Sequence, residues 1–231
     1  IRSWWWGLIT DFDFIGGKTL ISSYGNGLFI IEEGKEKHFT SDNNDINVIS
    51  EIYTIDSQIF LATRAGLYKF DEIKGEFIQT SISTPTFGFS EGNNADEFYV
   101  SSPSVVYNYN TNNNESVEVA LNISDKERDF KRMAFHNQKL WIVNESYGIV
   151  IYDTKTNLSF EIKPPSIKDT EHAKMIVDRD NAIWIGTASY GIMKYDPGKQ
   201  KFKLYSKDFP PENSLGFDVG WSATIDNQGN Y

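Results

Sequence analysis

The chain has 231 residues, of which 39% are hydrophobic and 15% aromatic, a composition that argues against disorder and leans towards strands. Its formal net charge of -10, from 32 acidic against 22 basic residues, repels polyanions and makes nucleic acid a poor partner. There is no cysteine for a disulfide framework or thiolate metal site, and no apolar run approaches the roughly 20 residues that cross a bilayer.

The first residues, Ile1-Arg2-Ser3-Trp4-Trp5-Trp6, lack the basic start, apolar run and cleavage site of a signal peptide, so any export signal is expected to have been removed or to lie outside this sequence. Trp4 to Asp13 reads as the innermost strand of a first repeat. It is followed by a Gly16-Gly17 turn, Thr19-Leu20-Ile21-Ser22, and Gly27-Leu28-Phe29. A second copy places Ile59-Phe60-Leu61-Ala62-Thr63 before Gly66-Leu67-Tyr68-Lys69-Phe70-Asp71. A third, more eroded, has Phe98-Tyr99-Val100-Ser101 before Val105-Val106-Tyr107-Asn108-Tyr109-Asn110, without the Trp and the Gly. The fourth and fifth copies, Met133 to Ile162 and Met175 to Tyr205, are the clearest. Each centres a strand on a Trp (Trp141, Trp184), then runs through a short loop ending in Gly, a strand ending in Tyr-Asp and a final aromatic strand.

The loop-end positions 27, 66, 105, 148 and 191 are separated by 39, 39, 43 and 43 residues, the period of one propeller blade. Blades are therefore expected over residues 4–40, 46–80, 86–120, 130–163 and 173–206 of one all-β architectural unit. Asp226-Asn227-Gln228-Gly229-Asn230-Tyr231 matches the stretch from Asp178 to Ile183. Residues 217–231 thus read as the first strand of a further blade, and the sequence as a fragment of a larger ring of about seven blades.

Runs such as Leu140-Trp141-Ile142-Val143 and Ile183-Trp184-Ile185 are apolar at consecutive positions, so both faces of those strands should be buried. With no helical periodicity to supply covering helices, sheet must stack on sheet, and radial stacking of short four-stranded antiparallel sheets does this with few free edges. Turn residues agree: Asn137-Gln138 and Asp178-Arg179-Asp180-Asn181 sit where antiparallel strands must reverse.

These residues resemble the two-component regulator propeller repeat. The resemblance is carried by Asp178, Ile183-Trp184-Ile185-Gly186-Thr187, Gly191-Ile192, Tyr195-Asp196-Pro197, Phe202 and Tyr205, followed by Asn213-Ser214-Leu215, which looks like the linker into the next blade. The resemblance implies a propeller outside the cytoplasmic membrane, a periplasmic part of an inner-membrane protein. Absent downstream segments would tether it to the membrane and carry a histidine kinase or a diguanylate cyclase. It also implies control of carbohydrate uptake and breakdown in many members.

His38, His136 and His172 are expected before an outer strand, in a hairpin turn and in a linker; no two share a metal-ligand spacing, so no metal site is expected. The acidic residues of Asp178-Arg179-Asp180-Asn181 look like a calcium loop but lack its Gly and its bidentate Glu, which favours a reverse turn. No catalytic motif is present and no cofactor is expected; this stretch is read as non-catalytic.

The better candidate is a binding surface. In a four-stranded blade, the loop between the second and third strands and the linker into the next blade lie on one face, where side chains converge. Tyr24, Tyr147 and Tyr190 offer flat faces with a hydroxyl, suited to stacking on sugar rings, and Arg64 is suited to gripping a carboxylate or sulfate. With Asn26 and Glu145 they form the expected ligand-binding set. The bland alternative is that Tyr147 and Tyr190, just before the repeat Gly, pack blade on blade. Trp4, Trp5, Trp6 and Trp221 are expected to pack near the innermost strands, and Trp141 and Trp184 to be core.

The leading expectation is a periplasmic sensor propeller of a hybrid two-component protein that binds a small molecule, an oligosaccharide in particular, and forms a possible homodimer. A scaffold that recognises protein partners or dimerises is the alternative from another class, and a polysaccharide lyase or hydrolase propeller a third.

Overall fold

The computed structural model describes residues 8–123, 128–144, 148–162, 174–178, 180–186, 191–199 and 201–205. The chain divides into two compact units, residues 1–119 and 120–231. All regular structure among the described residues is β: five four-stranded antiparallel sheets, each with its strands in chain order, the blade of a β-propeller.

The first unit holds three sheets. β1 (Ile9–Ile15), β2 (Lys18–Ser23), β3 (Leu28–Glu32) and β4 (Lys35–Phe39) form the first. β5 (Ile49–Ile55), β6 (Gln58–Thr63), β7 (Gly66–Asp71) and β8 (Glu76–Gln79) form the second. The third is β9 (Gly88–Glu91), β10 (Glu97–Ser101), β11 (Val106–Asn110) and β12 (Glu115–Glu118), so the copy without Trp or Gly folds like the others.

The consecutive apolar run of β6 is explained by burial on two sides. Ile59 and Leu61 pack with Leu20, Leu28 and Ile30 of the first sheet. Phe60 and Ala62 pack with Phe89, Phe98, Val100 and Tyr109 of the third. The alternating side chains of a strand point to opposite faces, so only an unbroken apolar run serves two cores at once. Outer strands such as β8 leave most of their residues exposed, and their sequences are correspondingly polar.

The innermost strands add polar ties between successive sheets. Asp11 Oδ2 accepts the Ile52 amide at 3.0 Å, and Asp13 Oδ2 accepts the Thr54 hydroxyl at 2.8 Å. The next junction repeats the device, with Glu51 Oε2 accepting the Phe89 amide at 2.8 Å. On the opposite face of β1, Phe12 and Phe14 are 62% and 66% exposed.

The second unit holds two sheets: β13 (Phe130–His136), β14 (Lys139–Asn144), β15 (Gly148–Asp153) and β16 (Leu158–Ile162), then β17 (Lys174–Val177), β18 (Ile183–Gly186), β19 (Ile192–Asp196) and β20 (Lys201–Tyr205). Trp141 and Val143 meet Met175, Ile183, Ile185 and Met193 in their shared core. Trp184, expected to be core like Trp141, is only half-buried. It points away from that core: its Nε1 donates to Asp178 Oδ2 at 2.7 Å, and Lys194 Nζ lies 4.5 Å from its ring centroid.

The two-residue hairpins obey turn chemistry. Gly16-Gly17, Asp56-Ser57 and Asn137-Gln138 all have positive φ at both positions, the turn whose twist matches the flanking strands. Residues 217–231, Trp4, Trp5, Trp6 and Trp221 lie outside the described residues.

Candidate functional site

The site grows from the loop between β2 and β3 and the linker that leaves β4. Gly25 and Gly27 both donate their amides to the Asn47 carbonyl, each at 3.0 Å, which holds loop and linker on one face of the first unit. Gly27 is required there. Its φ is +69°, and a Cβ would stand 2.2 Å from the Phe39 carbonyl oxygen. A side chain at that position would push the linker off the loop.

Val48 then joins two successive sheets. Tyr24 forms a β-bridge with it, and the Arg64 amide donates to its carbonyl at 3.1 Å. This places Tyr24, from the loop of the first sheet, beside Arg64, from the β6–β7 loop of the second. Arg64 Nη2 donates to Tyr24 Oη at 2.5 Å, with the guanidinium carbon 5.4 Å from the ring centroid. Arg64 Nη1 stands 3.5 Å from Asp45 Oδ1 of the linker. Tyr24 remains 53% exposed. The arrangement therefore has a flat apolar surface next to a fixed cluster of hydrogen-bond donors and acceptors.

Asn26 belongs to the same loop and is half-buried. Its amide donates to Ser23 Oγ at 3.0 Å, and its carbonyl oxygen accepts from His38 Nε2 at 2.7 Å. A carbonyl can only accept, so Nε2 carries the proton. His38 lies within β4 rather than before it, with its ring stacked on Phe29 at a centroid distance of 4.1 Å. The third sheet offers less at the equivalent place: Ser102 is 3% exposed, and its hydroxyl is spent on Thr84 Oγ1 at 3.1 Å.

Of the expected ligand-binding residues, Tyr24, Asn26 and Arg64 come together. Glu145, Tyr147 and Tyr190 lie outside the described residues, as does His172. His136 bonds Asn181 of the following sheet. The linker of Asp45 was expected on the same face, but an acidic residue among Asp42-Asn43-Asn44-Asp45 carries no mark of pairing with an arginine 19 positions on.

The turn at Asp178 is also explained. Its Oδ1 accepts the amides of Asp180 and Ala182 at 2.9 and 2.8 Å, a reverse-turn cap. Among the described residues no group of three or more His, Cys, Asp or Glu is placed to hold a metal ion.

An open groove of about 680 Å³ runs along β7 and β8 and contains none of the expected residues. Its polar walls are largely committed elsewhere. Gln79 Nε2 bonds the Leu67 and Ile82 carbonyls at 3.2 and 2.9 Å, and Glu72 holds Lys18 Nζ at 2.6 Å. The Tyr24–Arg64 cluster is the better candidate, because its ring face and guanidinium stay exposed while their backbones are pinned.

No family model and no curated protein matches the chain. Solved structures do. The extracellular domain of a putative hybrid two-component system from B. thetaiotaomicron matches with a TM-score of 0.72 and 13% identity, covering 97% of this chain and 36% of that one. A second such domain from the same organism matches with a TM-score of 0.64 and 14% identity, covering 95% and 37%. The computationally designed Ika8 protein matches with a TM-score of 0.60 at 6% identity, covering 83% and 59%. At these identities the likeness shows the fold. The chain spans about a third of the length of the two bacterial domains.

Proposed function

We propose that this chain is part of the extracytoplasmic, periplasmic sensing region of a hybrid two-component signalling protein, and that it binds an oligosaccharide at the Tyr24–Arg64 cluster. Two independent lines support the reading: the fold is shared with extracellular domains of two putative hybrid two-component systems, and the repeat resembles the two-component regulator propeller repeat. The observation that carries the ligand site is the meeting of Tyr24 Oη and Arg64 Nη2 at 2.5 Å, on loops from successive sheets. A site shared by two sheets can report a ligand, because a ligand that prefers one arrangement of the sheets shifts the population towards it. The role is binding, not turnover; any kinase or cyclase activity belongs to other segments of the full protein.

Calorimetry of the chain against a panel of oligosaccharides tests this. Binding is expected for at least one, and Tyr24→Ala should weaken it by about fivefold or more through loss of the stacking face. Tyr24 is half exposed, so the melting midpoint should hardly move. A panel with no binder, or a Tyr24→Ala variant that binds as well as the parent, would sink the site.

A second reading is favoured by β1. Phe12 and Phe14, in edge-to-face contact at 5.8 Å, lie beside Leu8 and Ile9, which are 64% and 49% exposed. Such a surface suits a protein scaffold or a homodimer. Light scattering that finds a dimer in the parent chain and a monomer in Phe12→Ser would support it, and a monomer at every concentration would remove it.

A further inference from the structure

The Tyr24–Arg64 pair has a third member that sets its charge. Asp45 is presented by a turn that is built before any ligand arrives. Its amide donates to Asn43 Oδ1 at 3.1 Å, the Ile46 amide to the Asn43 carbonyl at 3.1 Å, and the Asn47 amide to the Asn44 carbonyl at 3.1 Å. Asn47, only 5% exposed, closes the turn on Ser41 from both ends of its side-chain amide, accepting at 2.7 Å and donating at 2.8 Å. The same Asn47 carries the β2–β3 loop on its carbonyl. One buried residue therefore holds both the loop with Tyr24 and the turn with Asp45.

An exposed guanidinium alone is a receptor for carboxylate or sulfate, which its planar fork grips in a bidentate manner. Arg64 is not alone. One arm faces the Tyr24 hydroxyl at 2.5 Å and the other faces the Asp45 carboxylate at 3.5 Å. The side chains of Arg64 and Asp45 are 49% and 56% exposed, so water screens their attraction and the pair adds little stability. Its effect on a visiting anion is different. An anion on the guanidinium fork would also stand within a few ångströms of the Asp45 carboxylate, whose repulsion offsets part of the Arg64 attraction. The chain as a whole carries -10, which adds to the repulsion. What remains for a ligand is an open ring face, N–H donors on Arg64, acceptor oxygens on Asp45 and a hydroxyl that does both. Sugar hydroxyls match this set, since each donates and accepts without bringing charge.

We propose that Asp45 is a specificity residue: by neutralising Arg64 it makes the cluster take neutral, polyhydroxylated ligands of the saccharide class and reject anionic ones. The proposal rests on the binding site put forward above and adds the charge of its ligand.

The test uses the whole chain, its Asp45→Asn variant and the Asp45→Asn/Arg64→Gln double variant. Inorganic sulfate is titrated while the Arg64 side-chain NMR signal is followed, and trigalacturonic acid and its neutral methyl ester are compared by calorimetry. Asp45→Asn should bind sulfate about three- to tenfold more tightly than the parent, a gain that falls with added salt and vanishes in the double variant. The parent chain should favour the neutral ester over the acid, and Asp45→Asn should narrow or reverse that preference. Equal sulfate affinity in parent and Asp45→Asn, or a parent that prefers the acid, overturns the proposal. If no saccharide binds the parent while Asp45→Asn still gains sulfate affinity, the saccharide site falls and the anion-rejecting role of Asp45 stands.

Discussion

Gly66 ends the β6–β7 loop with φ +127°, and a Cβ built on it would lie 2.4 Å from the Ile82 carbonyl oxygen. That carbonyl accepts the Leu67 amide at 3.0 Å, so the linker cannot retreat without losing a hydrogen bond. Gly66→Ala should therefore cost about 2 kcal/mol or more, from backbone strain together with displacement of the linker. Urea unfolding of the variant checks this, and an unchanged midpoint would refute it. The third sheet shows how the requirement is escaped. Its loop is longer, the Ser102 amide bonds the Val105 carbonyl at 2.8 Å, and Val105 replaces the glycine with no positive φ.

The strand that ends in an aromatic residue and Asp is explained by the turn that follows it. Asp71 Oδ1 accepts the Ile73 and Lys74 amides at 3.0 and 3.1 Å. Asp153 Oδ1 accepts the Lys155 and Thr156 amides at 3.0 and 3.1 Å. Asp196 Oδ1 accepts those of Gly198 and Lys199 at 3.0 and 3.2 Å. In the third sheet Asn110 Oδ1 takes the role with the Asn112 amide at 2.9 Å. Four residues after each of the first two, and after Asn110, the chain turns left-handed, at Gly75, Asn157 and Asn114, residues that tolerate positive φ. The Thr156 amide, first among its partners, holds the Asp153 carboxyl below the usual carboxylate range, and the Lys199 side chain does the same for Asp196. A carboxylate with a lowered folded pKa stabilises above its unfolded value and loses that contribution as pH falls through the folded one. Asp153→Asn should keep the turn, as Asn110 does, and should flatten the loss of melting temperature below about pH 4, whereas Asp153→Ala should lower the melting temperature at neutral pH. Melting curves from pH 2 to 7 distinguish them, and identical acid slopes in parent and Asp153→Asn would refute the assignment.

At the scale of the molecule, stability is concentrated where whole sheets meet. Phe98 is fully buried, with its ring 4.9 Å from Phe60, 5.1 Å from Tyr109 and 5.6 Å from Phe89. Phe98→Ala should cost about 3–5 kcal/mol, because two sheets cannot close over the cavity without losing their ladder register. Guanidinium unfolding is the check, and a cost below 1 kcal/mol would show that the junction repacks. The same junction sets the alkaline limit. Burial pushes the hydroxyl of Tyr109 up to about 12 and that of Tyr53 up to about 12, with Glu91 and Asp13 adding repulsion at Tyr53. The unfolded chain ionises first, so the stabilisation is complete below about pH 10 and is lost as pH rises towards 12. Tyr109→Phe should remove part of that loss, although it also gives up the hydrogen bond to Asn114 Oδ1 at 3.0 Å. Melting between pH 9 and 12 measures it; a parent chain with no alkaline destabilisation would contradict the burial of these hydroxyls.

The repeat, its strands and its turns were legible in the sequence, because each depends on residues close together in the chain. Consecutive apolar positions in β6 and β14 declare burial on two faces, Gly27 and Gly66 mark the tight loop ends, and the Asp of Tyr-Asp marks the turn. Tyr24 and Arg64 were legible as members of loops on one face. Their contact, and the approach of Asp45 to Arg64, were decided by the tertiary structure. The half-buried state of Trp184 was likewise decided there. Local signals specify backbone conformation residue by residue. Which charges end up a few ångströms apart depends on how two sheets and their linker are stitched together at Val48, and that information is spread over 40 residues between Tyr24 and Arg64.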